Sequence, residues 1–172
     1  MRTTGTMMEK ATAVRLSDLL VQEFDLENKY TRKTLERVPI DKFDWKPHEK
    51  SMTLGWLSTF IALAPTWVPP IFDRDRFDPA APGGPPRERK NAASVKELLE
   101  TFDRNVAAAH AAIAGASDEA LQEPWTLAMG GKEVFTQPRW LALREYVLNH
   151  EIHHRAQLNM YLRMLGITPP SV

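Results

Sequence analysis

The 172-residue chain contains no cysteine. That excludes disulfides, thiolate metal ligands and a cysteine nucleophile, and is compatible with a reducing compartment. It also lacks an excess of either charge: Lys plus Arg and Asp plus Glu both number 22. A nucleic-acid groove or an anionic membrane surface recruits a basic excess, so neither partner is expected. The N-terminus Met1–Lys10 has no apolar core of a signal peptide. No apolar run is expected to approach the ~20 residues that span a bilayer. The expectation is a soluble, cytoplasmic chain with one domain over residues 1–172.

What is there is helical periodicity. Four segments carry it, and none reads convincingly as a strand. The first runs from about Ser17 to Val38, with Leu20, Phe24, Thr31, Leu35 and Val38 on one stripe. Glu27 and Asn28 fall on or beside that face. After a loop from Pro39 to Pro47, the second helix starts near Ser51. It carries Thr53, Trp56, Leu57, Phe60, Ala64 and Trp67 on one side, and Pro65 and Pro69-Pro70 mark its stop. Pro69 to Asn91, rich in proline and containing Gly83-Gly84, reads as a long crossover loop. Ser94 and Glu97 have capping-box spacing before the third helix, which extends to Ile113 and stops near Gly115. Pro124 to Gln137 reads as a turn or short hairpin, and the last helix runs from Pro138 to Leu165 before Gly166. These elements predict an all-α four-helix bundle with a long crossover between helices 2 and 3.

Three of the five histidines, His150, His153 and His154, fall within five positions of the last helix. His150 and His154 stand at i and i+4, so both rings leave one face, together with Val147, Leu158 and Tyr161. Two imidazoles at that spacing can close on one metal ion; they can equally form a hydrogen-bonded core pair. Burying both without partners would cost a few kcal/mol. His153 lies at the edge of the stripe, and His48 and His110 read as structural or solvent groups. A second apolar row, Leu141, Leu148, Ile152 and Ala156, lies roughly opposite and suggests another subunit.

Trp45-Lys46-Pro47-His48-Glu49-Lys50-Ser51-Met52-Thr53-Leu54-Gly55-Trp56-Leu57, Pro124-Trp125-Thr126-Leu127 with Gly130-Gly131, and Asn149 to Leu158 followed by Tyr161-Leu162-Arg163 resemble, in order, the motifs of the DinB-like (DNA-damage-inducible, YfiT-type) family. The resemblance implies a four-helix bundle of up-down-down-up course, often a homodimer. It implies a divalent metal, nickel or zinc, held by three histidines, of which this chain supplies His150 and His154. It also implies metal-dependent thiol S-transferase chemistry with a low-molecular-weight thiol, or hydrolysis. The third ligand position matches Phe60, which has no electron pair to offer a metal. Glu27 on the first helix and His48 in the loop are the substitutes to consider. A bound metal would lower the pKa of a thiol or water in its open position, and that requires a firmly held ion.

Three functional expectations follow. One is a divergent metal-dependent transferase or hydrolase. Another is a metal-free bundle binding a small apolar or aromatic molecule in a pocket lined by Trp56, Phe60, His150, His154, Gln157 and Tyr161. The third is a dimeric structural or regulatory protein in which the histidine pair is a buried relic.

Overall fold

The computed structural model describes residues 14–84 and 90–171. Helix α1 (Leu16–Leu35) buries Leu20, Phe24, Asn28, Thr31 and Leu35 along one stripe. It ends three residues before Val38 because Pro39 disfavours helical backbone in the residue before it. Helix α2 (Leu54–Leu63) begins where the Thr53 hydroxyl accepts from Trp56 N at 3.2 Å. A 3-10 turn, Ala64–Trp67, follows at Pro65.

Pro69-Pro70 then starts an element as well as stopping one: Pro69–Asp73 is a short helix, α3, with proline in its first turn. Strand β1 (Arg76–Phe77) follows, so the expected crossover loop carries two elements of its own. Helix α4 (Val95–Ala114) is capped by Ser94 Oγ, which accepts from Glu97 N, while the Glu97 carboxylate accepts from Ala93 N at 2.8 Å. Helix α5 (Asp118–Gln122) is short and capped by Ser117.

The all-α expectation is corrected here. Strands β2 (Pro124–Met129) and β3 (Lys132–Pro138) form an antiparallel hairpin, and β1 pairs in parallel with β2. The hairpin turns at Gly130 and Gly131, both at positive φ, where a side chain would be strained. Asp78 reaches across to accept from both of their amides, at 3.1 and 2.6 Å. Two-residue β1 has no periodicity to read. Its pairing is fixed by contacts far apart in sequence, such as Thr126 N donating to Asp75 O at 2.9 Å.

Helix α6 (Arg139–Ala142), π-helical turns over Leu143–Leu148 and helix α7 (Asn149–Met164) succeed one another without a break. The π turns wind more slowly than an α-helix and shift the phase by roughly a quarter turn. Leu148, expected on an outer row with Ile152 and Ala156, is instead buried in the core, because it shares an α7 face with Glu151, Arg155, Leu158 and Leu162 that packs on α1, while Ala156 is exposed.

Cross-helix contacts give the long helices their directions. Arg144 bonds Glu23, and Thr34 bonds Asn159, so α1 runs parallel to the last helix. Arg15 bonds the Ala114 and Ala116 carbonyls while Arg32 meets Asp103, so α1 and α4 are antiparallel. Tyr161 bonds Met52 O, whereas Trp67, beyond the C-terminus of α2, touches His150; α2 therefore opposes α7. The stretch Leu54–Asp73 does reach membrane-spanning length and apolarity, contrary to expectation, but most of its apolar window is buried inside the fold.

The apolar interior has two parts. One packs Leu20, Phe24, Ile113, Trp125, Val147 and Leu148, and the other packs Leu35, Leu57, Ile61, Phe102, Leu158 and Tyr161. On α7 the histidine pair lies between Leu148 and Leu158, at the junction of the two.

Candidate functional site

His150 and His154 project from successive turns of α7, with ring centres 4.6 Å apart and planes tilted by 32°. Phe60 of α2 faces them. Its ring centre lies 4.6 Å from that of His154, edge to face, and 5.5 Å from that of His150. Trp56, one turn earlier on α2, stacks on Phe60 at 5.1 Å with planes 9° apart. Trp67 meets the other side, 5.4 Å from Phe60 and 5.3 Å from His150, and itself stacks on Tyr146 at 4.8 Å. Phe60 and His154 are buried; Trp56, Trp67, Tyr146 and His150 are half-buried and form the outer wall.

Hydrogen bonds orient the imidazoles. Gln157 Oε1 lies 2.8 Å from His154 Nδ1, and Gln157 Nε2 lies 3.1 Å from His153 Nε2. With the amide in this orientation its nitrogen donates to His153 and its oxygen accepts from His154. This assigns the Nδ1 proton to His154 and the lone pair to Nε2. Burial lowers the pKa of His150 below the ordinary histidine range, and neighbouring His154 and His153 lower it further; a hydrogen bond to the Tyr146 backbone offsets part of this. His150 is accordingly neutral at pH 7.

The proposed substitutes for a third ligand lie elsewhere. The Glu27 carboxylate bonds Arg155 Nη2 at 2.5 Å, and Arg155 Nη1 also donates to Glu27 O and Thr31 Oγ1. Arg155 follows His154 directly, so it points about 100° away around the helix, toward α1. His48 is exposed in its loop, its Nδ1 accepting from Lys50 N at 3.1 Å. Tyr161 packs edge-on to Trp45 at 5.5 Å and bonds Met52 O, within the second apolar cluster and apart from the ring contacts of the histidine pair. His110 bonds Asp25 at 2.8 Å.

The sequence reading missed Tyr146 and did not assign Trp67 to the site. Both had a signal, since Tyr146 is four residues before His150 and Trp67 is seven after Phe60. Buried Glu151 was missed as well. It is pushed up to about 7 by burial, with Thr31 and the Arg155 charge pulling down and Glu27 adding to the rise. Among the described residues, neither of its oxygens has a hydrogen-bond partner of ordinary geometry.

A model of the DinB superfamily matches residues 23–158. The chain belongs to the DinB superfamily. Two solved DinB-like proteins share its fold. One, from Bacillus cereus ATCC 10987, is 20% identical with a TM-score of 0.67, over 92% of this chain and 97% of that one. Another, from Bacillus subtilis, is 19% identical with a TM-score of 0.66, over 90% and 96%. Comparison with curated proteins gave no match.

For this DinB-superfamily chain, the donor set can be tested against the divalent metal that the motif resemblance implies. Structural and catalytic zinc sites take three or four protein ligands. Here two imidazoles are accompanied by a phenyl ring, and among the described residues no group of three His, Cys, Asp or Glu could hold an ion. The residues do not fit such a centre.

Proposed function

We propose that this DinB-superfamily protein binds a small aromatic or apolar organic molecule, without a divalent metal, at the wall formed by Trp56, Phe60, Trp67, Tyr146, His150 and His154. The observation that carries this reading is the Phe60 ring packed against both imidazoles, where it adds apolar surface and no donor. Ligand sites of this class combine aromatic lining with a few placed polar groups. Here those polar groups are two imidazoles, His154 held from behind by Gln157 and His150 packed between Phe60 and Trp67. The metal-dependent S-transferase or hydrolase reading is less well supported, because it needs a third protein ligand.

Trp56 and Trp67 supply the assay, since their fluorescence responds to a ring stacking beside them. Titration with indole, phenol and benzimidazole should give saturable quenching by at least one of them, with a raised unfolding temperature. Trp67→Ala should weaken that binding about tenfold, the loss of one aromatic contact. The absence of saturation by any of the three probes, or saturation indifferent to both Trp56→Ala and Trp67→Ala, would exclude the proposal.

A further inference from the structure

The ring centres of His150, His154 and Phe60 form a triangle with sides of 4.6, 4.6 and 5.5 Å. Three imidazoles bound to one tetrahedral ion through nitrogens about 2.0–2.1 Å away would have their ring centres roughly 5 Å apart. Phe60 therefore occupies the place of a third ring in a ligand-like arrangement. One supporting bond is also of the kind that sets a ligating histidine: Gln157 holds His154 through Nδ1. What is missing is one electron pair. In its place stands a buried phenyl, backed by the stacked Trp56 ring. An ion held by two imidazoles would have to keep water in its other positions against that apolar surface, which is unfavourable.

We infer that Phe60 is the specificity-determining residue of this site, excluding divalent cations from a histidine pair otherwise arranged to hold one. Only the identity of the organic occupant rests on the functional reading above; the exclusion of cations does not.

The test uses the full chain without a histidine tag, titrated with zinc and with nickel alone against a competing chelator dye. The wild-type chain should retain neither ion. Phe60→His should take up one equivalent, with affinity gained on the order of 100-fold or more. His154→Ala in the Phe60→His background should abolish the gain, and Phe60→Leu should give none. Phe60→Cys, which places a smaller buried donor there, covers the case in which Phe60→His does not fold, as judged by circular dichroism. One equivalent bound equally by the wild type and Phe60→His overturns the inference. So does the absence of any gain in a folded Phe60→His or Phe60→Cys protein. Failure of the organic probes with success of these variants would remove the functional reading and leave the inference standing; the converse result would do the opposite.

Discussion

The rings of Phe60 and His154 meet in a T-shaped contact, 4.6 Å between ring centres and with planes 70° apart. This T-shaped contact joins α2 to α7 at the junction of the two apolar clusters. Cutting Phe60 back to alanine removes it along with the stacking on Trp56. The expected loss is about 3 kcal/mol of unfolding free energy, read from urea denaturation. A change below about 1 kcal/mol would show that the ring is not packed as described.

Glu151 gives the protein a pH dependence of defined sign. Its carboxyl is raised from 4.5 to about 7 in the folded chain, chiefly by burial. Between those values the folded state keeps a proton that the unfolded state releases, so stability falls as pH rises from 4.5 through 7. The fall amounts to about 3 kcal/mol and is complete above pH 7. Glu151→Gln should flatten this slope and be more stable than wild type at pH 8 in chemical denaturation. A wild-type curve that rises over this interval, once other titrations are subtracted with the variant, would contradict the burial argument.

The Arg155–Glu27 pair fastens α7 to α1 from the side of α7 turned away from Phe60. Arg155 is buried, donates to Glu27 and Thr31, and lies 5.8 Å over the Tyr30 ring. Arg155→Met should cost about 3–5 kcal/mol, because it leaves Glu27 beside Glu151 without its counter-charge. The double variant Glu27→Gln, Arg155→Met should recover part of that loss. A double-mutant cycle with no coupling would mean that the pair contributes nothing as a pair.

Gly55 has a tighter constraint than its place at the start of a helix requires. A Cβ built there would lie 2.8 Å from the Phe43 ring and 2.9 Å from the Asn91 amide. Alanine would ordinarily favour a helix, yet Gly55→Ala should destabilise by about 1–3 kcal/mol through this overpacking. A thermal midpoint at or above that of wild type would show that the Phe43 loop yields freely.

The histidine pair, the long helices and the Ser94 cap depend on spacings of three or four residues, and such local relations are written directly in the sequence. Spacing put Phe60 on the inward face of its helix, and only the resemblance to the family's motif implied that it stands at the third corner. The partner of Glu27 was not legible, because Arg155 lies 128 residues away and only the packing of α1 beside α7 brings them together. The same holds for β1, a two-residue strand defined by its register with β2. Leu148 shows a third kind of limit: α7 buries a second face, with Glu151, Arg155 and Leu162, against α1, and a helix assumed to bury only one face puts that row outside. Sequence alone determined which side chains share a turn of helix. Which helices meet, and what stands opposite the imidazoles, was decided by the burial of several faces at once, and that is a property of the tertiary structure.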